Sequence, residues 1–271
     1  MPASSHVATF RQLHQHGLLR LANAWDAGTA RLIESLGAPA IATTSAGVAW
    51  AQGYPDGDRL PVARVLDVVQ AIVRVIRVPL TIDIEGGYSD KPAEVAALAA
   101  RLADLGVAGI NLEDGAGEPA ALCAKIEAIR SACAHAGTDL FVNARTDVYL
   151  RGMGAAAQRP ALTLERAHAY ASAGADGLFV PGLSDRAGIE TIVSGTTLPL
   201  NLLARSALPG AEELQAWGVR RLSAGSNLAE SAYHRIAQLA GDFMRDGLSA
   251  PLSTQAMPYS GLNGLFDGIA D

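Results

Sequence analysis

Cysteine and aromatic residues are scarce in this 271-residue chain. The only two cysteines, Cys123 and Cys133, lie ten apart in one helical stretch, which suggests reduced thiols rather than a disulfide framework. Aromatics make up 5% of residues against 49% hydrophobic overall, so a large core must be built from Ala, Val, Leu and Ile. Charge of one sign is nowhere concentrated. The net charge of −6 is spread out and no basic stripe occurs, which argues against nucleic acid as a partner. No apolar run reaches the roughly 18 uninterrupted residues of a membrane span, and no charged-then-apolar leader opens the chain. A cytoplasmic protein without a membrane partner is therefore expected. A dinucleotide fingerprint is missing too, since the Asp114-Gly-Ala-Gly turn lacks the third glycine and the following acid.

What the chain does have is a regular beat of strand and helix. After a polar leading helix (4–16), strands are expected at 18–24, 40–45, 80–85, 109–113, 140–145, 177–180, 198–203 and 221–224. Asp26 is placed to cap the first helix after a strand, and Pro61 to open another after a long loop through Trp50, Gly53, Tyr54 and Asp56. A Gly- and Ala-rich loop, 151–160, trails the fifth strand. Strands that are apolar almost throughout and separated by helices mean a parallel sheet covered on both faces. Eight such units in about 230 residues fit a closed α/β barrel of the (β/α)8 TIM type better than an open sheet. No interior linker breaks the chain, so residues 1–271 read as one domain, with a barrel over 18–246. The tail, 247–271, is too short for a core of its own and is expected to pack on the barrel or on a neighbouring subunit.

The stretch that organises the rest is L-T-I-D-I-E-G-G at 80–87. The strand runs through Glu85, so Asp83 and Glu85 are expected to project from the same face, and the glycines leave room for a ligand. Two carboxylates at the mouth of an apolar strand invite a hard divalent cation such as Mg²⁺. The blander alternative is a strand end that caps the next helix and pairs with a nearby Arg. Neighbouring strand ends weigh for a site. Thr43-Thr44-Ser45, Glu113-Asp114, Asn143-Ala144-Arg145-Thr146-Asp147, Asn201 and Ser223-Ala224-Gly225 put polar groups at the same end of successive strands, where barrels of this type do their chemistry.

The series N-A-W-D at 23–26, T-S-A-G at 44–47, D-I-E-G-G-Y at 83–88, L-E-D at 112–114 and N-A-R-T-D at 143–147 resembles the isocitrate lyase/phosphoenolpyruvate mutase superfamily. The resemblance implies an α/β barrel, a Mg²⁺ ion (or Mn²⁺ in its place), and chemistry on a small 2-oxo acid through an enolate. It also implies a homodimer or homotetramer in which the last helix of the barrel swaps between subunits. On the matching positions, Asp83 would bind the metal directly while Glu85 and Glu113 hold its water shell. Ser45, Ala46 and Gly47 would present N–H groups to the substrate carboxylate, Trp25 and Asn201 would line the cavity, and Arg145 would pair with the carboxylate or enolate oxygen. Asp56 falls at the position of a mobile acidic gate residue.

The departures bear on the reaction. Isocitrate and methylisocitrate lyases carry a K-[KR]-C-G-H loop after the Glu-Asp pair, whose Cys returns a proton to the product carbanion. Here that loop is only Gly115-Ala116-Gly117-Glu118, and Cys123, flanked by Leu122 and Ala124, reads as a packing residue. The Lys and Asn of the P–C bond branch are absent from the same loop, and Pro181 stands where the lyases carry a Glu. Tyr54, Tyr88 and Asp56 remain as candidates for proton transfer. None of the six histidines has a compelling role. The expected activity is a Mg²⁺-dependent carbon–carbon lyase or decarboxylase acting on a small 2-oxo or 2-hydroxy di- or tricarboxylate. The alternatives are a P–C bond enzyme and a barrel that binds 2-oxo acids with little turnover.

Overall fold

The computed structural model describes residues 3–269. A leading helix, α1 (Ala3–Leu13), precedes a stave of sheet broken into β1 (Leu19–Leu21) and β2 (Asn23–Ala24). Then come α2 (Ala27–Ser35), β3 (Ile41–Thr43), α3 (Ser45–Ala51), α4 (Val62–Val75), β4 (Leu80–Asp83), α5 (Pro92–Asp104), β5 (Gly109–Glu113), α6 (Pro119–Ala136) and β6 (Phe141–Arg145). The second half continues with α7 (Arg159–Ala173), β7 (Gly177–Phe179), α8 (Arg186–Gly195), β8 (Leu200–Leu203), α9 (Ala211–Ala216), β9 (Arg221–Ser223) and α10 (Asn227–Asp246). Two short helices, α11 (Ala250–Ser253) and α12 (Tyr259–Gly264), make up the tail.

Every pairing is parallel, in the order β1-β9-β8-β7-β6-β5-β4-β3-β2. β1 aligns Leu19 with Arg221 and β2 aligns Asn23 with Ala42, so the two halves of one stave hold the two ends of the sheet. The nine strands thus form an eight-staved α/β barrel, as expected. The continuous first strand expected over 18–24 is corrected: it breaks at Ala22, where one stave must serve neighbours on both sides of the seam. A second correction lies after β3. The expected long loop begins as a helix, α3, because Ala46, Gly47, Val48 and Ala49 are buried and only its far end turns to solvent. Pro61 sits one residue earlier than expected, at the cap of α4 rather than inside it. The loop at 151–160 gives way to helix by Arg159, with Pro160 in the first turn.

Asp26 caps α2 as expected: its Oδ1 accepts the Thr29 N–H at 2.7 Å, and Thr29 Oγ1 accepts the Asp26 N–H at 3.3 Å. Between sheet and helices the core is aliphatic, with Ile82, Ile110, Leu112 and Val142 almost fully buried against α4–α6 residues such as Val69, Leu98 and Ile126. A second apolar cluster, Val7, Phe10, Leu19, Leu21, Ala108 and Phe141 among it, fills the floor of the barrel. There α1 acts as a plug. Phe10 meets the Phe141 ring edge-on at 5.3 Å, and His14 stacks on the same ring at 4.3 Å. Full burial of Phe10 is worth about 1.5–3 kcal/mol. With the floor closed, the interior opens at the carboxyl ends of the strands. Both thiols are free, Cys133 buried and Cys123 half-buried against the core. The tail touches the barrel through Arg31, whose Nε–H donates to the Leu265 carbonyl at 2.7 Å. No helix of the described residues is long and apolar enough to cross a membrane.

Candidate active site

β4 delivers Asp83 to the open mouth. The Asp83 N–H donates to Thr43 Oγ1 of β3 at 3.0 Å, which ties the ends of two staves together. Its carboxylate is fixed on both oxygens: Oδ1 accepts the Glu85 N–H at 3.0 Å and Oδ2 accepts Asn111 Nδ2 at 3.3 Å. Burial raises this carboxyl above the usual range, the charge of Arg145 opposes the rise, and Asp56 adds to it.

Glu85 departs from the expected geometry. The strand ends at Asp83, and Glu85 takes a left-handed backbone with φ +52°, so the alternation that would set it beside Asp83 stops short of it. Its carboxylate turns to the loop after α3 and accepts the N–H groups of Gly57, at 2.8 Å, and Asp58. The Asp58 carboxylate reaches back to the N–H groups of Gly86 (3.3 Å) and Tyr88 (2.9 Å). Asp58 and Tyr88 are also left-handed, at φ +55° and +57°. Three strained non-glycine residues in one clasp mark a segment that the surroundings force into place. Gly87, at φ +94°, has no room for a side chain, since a Cβ would lie 2.8 Å from Val95. Burial pushes the Glu85 carboxyl up to about 7, helped by Asp56, Asp58 and Asp83.

Glu113 ends β5 and is ion-paired with Arg145, which ends β6. Burial pushes the Glu113 carboxyl up to about 8 despite that partner, with Asp83, Asp147 and Glu85 adding to the rise. Arg145 is held by Asp147, through Nε to Oδ1 at 2.7 Å and Nη2 to Oδ2 at 3.2 Å, and its guanidinium stands 5.9 Å from the Phe179 ring centre. Glu113, Asp147 and Asp83 hold it firmly in the charged form against its burial. Asp114 supports this strand end from behind. It accepts the Asp147 N–H (3.0 Å), Arg166 Nη1 (2.6 Å) and the Tyr170 hydroxyl (2.6 Å).

Ser45, Ala46 and Gly47 open α3, where their N–H groups have no acceptor within the helix. Gly47 lies against Trp25 and Ala229, and a Cβ there would come within 3.0 Å of Trp25. Asn201 is buried in the interior, where its Oδ1 accepts the Ser223 hydroxyl at 3.1 Å and its Nδ2 has no partner among the described residues. Asp56 is exposed at the mouth but close enough to act on both Asp83 and Glu85. Tyr54 is brought less close: its side chain faces solvent, and only its N–H is engaged, on the Ala49 carbonyl. Tyr88 is the better-placed tyrosine. It packs toward Glu85 and Asp83, which together with burial push its hydroxyl far up.

Two contributors carry no sequence motif, Asp58 and Arg221, and Asp147, which the sequence places at a strand end, gains its role in the fold as the partner of Arg145 and Arg151. Asp58 acts across loops, and only the fold reveals its partners. Arg221 is fully buried beneath the site, with Nη2 on Asn111 Oδ1 at 3.2 Å and Nε on Ser223 Oγ at 3.3 Å. Burial lowers it and the Asp83 charge offsets part of that. One signal for it existed: in the strand R-L-S, Arg221 and Ser223 share the inward face.

Among the described residues, no three Asp, Glu, His or Cys side chains converge to ligate one ion together. Asp83, Glu85 and Glu113 are therefore not a joint set of direct ligands. They still fit Mg²⁺ in another way. The ion keeps several waters and takes one or two carboxylates, and here buried Asp83 is flanked by acids that push one another's carboxyls up with Arg145 as the cation among them. A hard cation on Asp83, with Glu85 and Glu113 reached through water, relieves that excess.

A profile of the phosphoenolpyruvate phosphomutase family matches residues 10–244. An uncharacterized protein of Mycobacterium tuberculosis is 36% identical over 259 residues, covering 94% of each chain. The 2-methylisocitrate lyase of Escherichia coli is 26% identical over 266 residues, covering 90% of this chain and 88% of its own. A crystal structure from Burkholderia cenocepacia J2315, provisionally described as a phosphonomutase, superposes with a TM-score of 0.83 at 41% identity. It covers 88% of this chain and 99% of that one.

Proposed function

The chain belongs to the phosphoenolpyruvate mutase/isocitrate lyase superfamily, and from that premise we propose a Mg²⁺-dependent carbon–carbon lyase or decarboxylase for a small 2-oxo or 2-hydroxy di- or tricarboxylate. One observation supports the reading: a buried carboxylate, Asp83, and a guanidinium fixed by Asp147, Arg145, end two staves of the same mouth with one strand between them, which suits a cation beside an anionic oxygen. Bound Mg²⁺, or Mn²⁺ in its place, would polarise the ketone of a 2-oxo acid. Asp83 holds the cation, Glu85 and Glu113 order its water, and the N–H groups of Ser45, Ala46 and Gly47 take the substrate carboxylate. Trp25 and Asn201 line the cavity. Cleavage of the C3–C4 bond of a 2-oxo diacid releases carbon dioxide and leaves the bonding electrons on C3 as an enolate, whose charge Arg145 stabilises. Asp56 gates the mouth, and proton transfer falls to Asp56 or a tyrosine, Tyr88 being better placed than Tyr54. The protein acts as a homodimer or homotetramer through the apolar outer face of α10.

A P–C bond reading draws on the names of the family profile and of the Burkholderia structure. The loop Gly115–Glu118 speaks against it, because it offers no Lys or Asn beside Glu113.

Calorimetry with oxalate in the presence and absence of Mg²⁺ tests the site, and release of pyruvate or glyoxylate from malate and citrate analogues tests the reaction. Oxalate should bind only with Mg²⁺, and Asp83→Asn should abolish that binding. Arg145→Gln should lower kcat by about 100-fold or more. Oxalate binding without turnover, or turnover of phosphonopyruvate alone, would replace the lyase assignment. No Mg²⁺-dependent binding would remove it.

A further inference from the structure

Beside Glu113 a cavity of about 490 Å³ runs outward between the loops after β4, β5 and β6. Its carboxylates are nearly all spoken for. Asp58 accepts the N–H groups of Gly86 and Tyr88, Glu113 is paired with Arg145, and Asp114 is paired with Arg166 and Tyr170. Asp90, exposed at the outer rim, is the exception. The two cations of the lining keep donors to spare. Lys125 gives one bond, to the Gly86 carbonyl at 2.7 Å, and has no carboxylate partner among the described residues. Arg151 spends Nε on Asp147 Oδ2 at 3.1 Å, and its terminal nitrogens donate to nothing among the described residues.

Arg151 is also adjacent to the reaction centre. Asp147 accepts Arg145 on both oxygens and shares Oδ2 with Arg151 Nε, so the two guanidinium groups meet on one carboxylate. Arg145 faces inward to Glu113 and Arg151 faces the cavity. Asp147 is 1% exposed, so this pairing has little freedom. A planar fork with two free NH₂ groups suits a carboxylate or a phosphonate.

Resting on the function proposed above, we infer that Arg151, assisted by Lys125, is the specificity residue for the second anionic group of the substrate. One end of the molecule lies between Asp83 and Arg145, and the far end reaches the cavity and pairs with Arg151. The substrate class is then a short dianionic acid, such as a four- or five-carbon 2-oxo or 2-hydroxy diacid, rather than a monoacid like pyruvate.

The test compares two ligands by calorimetry on the full chain with Mg²⁺: oxalate, which fills only the inner end, and 3,3-difluorooxaloacetate, which carries a second carboxylate beyond it. Arg151→Gln should weaken the longer ligand at least tenfold and oxalate less than twofold, while Arg151→Lys recovers part of the loss. Lys125→Met should weaken the longer ligand by a smaller factor. Equal weakening of both ligands would mean that Arg151 only positions Arg145 through Asp147, and would overturn the assignment, as would no change in either. Phosphonopyruvate as a third ligand separates the two kinds of second anion. A greater sensitivity of phosphonopyruvate than of the diacid to Arg151→Gln would overturn the diacid class. Wild-type protein that binds oxalate but not the longer acid overturns this inference alone. Wild-type protein that binds neither overturns the proposed function and this inference with it.

Discussion

Glu85 and Asp58 hold each other by exchange: the Glu85 carboxylate accepts the Asp58 N–H, and the Asp58 carboxylate accepts N–H groups on either side of Gly87. The clasp fastens the loop that carries Asp56 to the loop that follows Asp83. It uses the residue that the sequence marks as a water-shell ligand, so loop position and cation binding converge on one side chain.

The clasp predicts a graded mutational response. Asp58→Ala leaves the Gly86 and Tyr88 N–H groups without an acceptor and should cost about 1–3 kcal/mol, while Asp58→Asn keeps one acceptor oxygen and should cost less. Hydrogen exchange over residues 52–61 should accelerate in the alanine variant. Unchanged protection there would show that the loop is held by something else.

Without Mg²⁺ the acids predict a stability that falls as pH rises. Glu113 and Glu85 stand at about 8 and 7 in the folded chain against 4.5 ordinarily. Between pH 4.5 and 8 the folded state therefore binds more protons than the unfolded one, and stability present at low pH is lost through that window, at up to about 1.4 kcal/mol per pH unit for each group. Denaturation in EDTA should show this slope, Mg²⁺ should flatten it, and Glu113→Gln should remove the part that reaches to pH 8. A slope unaffected by Mg²⁺ would count against the cation site.

His14 predicts the opposite sign at acid pH. Burial, aided by Arg221 and Arg11, pushes its imidazole down to about 3, and Nδ1–H donates to the Phe10 carbonyl at 2.8 Å. Between pH 6.5 and 3 the unfolded chain binds the extra proton, so this contribution is complete above 6.5 and lost as pH falls. His14→Phe keeps the ring on Phe141 and removes the titration. The difference in stability between wild type and variant should then shrink with falling pH, by up to about 1.4 kcal/mol per unit below 6.5. A difference independent of pH would show that the plug tolerates a charged imidazole.

The barrel was legible because each stave announces itself as an apolar run between helices, and a closed parallel sheet leaves few other arrangements. Asp83, Glu113 and Arg145 were legible because each ends such a run. Glu85 was not, since period-two alternation holds only while the strand continues, and the backbone at Glu85 crosses to positive φ. Asp58 sits 27 residues from its partner, in a loop whose sequence names no contact. Arg221 carries a signal of its own, an arginine on the inward face of a buried strand, but its partners Asn111 and Ser223 come together only in the barrel. α3 was hidden by its own composition, because tertiary burial of Ala46–Ala49 overrides the loop signal of Ser45 and Gly47.

The outer face of α10 predicts an oligomer. Only Ala229 of this helix is buried, whereas Tyr233, Ile236, Phe243 and Met244 are exposed at helical spacing, Ile236 at 59% and Met244 at 79%. Trp50 of α3 meets Tyr233 edge-on at 6.2 Å, extending the patch toward the site. Apolar side chains gathered in this way mark an interface rather than a solvated face. A second copy of the chain fits the homo-oligomer proposed above and brings its own α10 to match. Sedimentation velocity should give a dimer or tetramer for the wild type, and Ile236→Glu combined with Phe243→Glu should shift it to monomer. Because Trp50 follows closely on Ser45–Gly47, the monomer should also bind Mg²⁺-oxalate more weakly. A wild-type monomer at micromolar concentration would leave this face without its proposed partner, and a monomeric variant with unchanged oxalate affinity would separate assembly from the site.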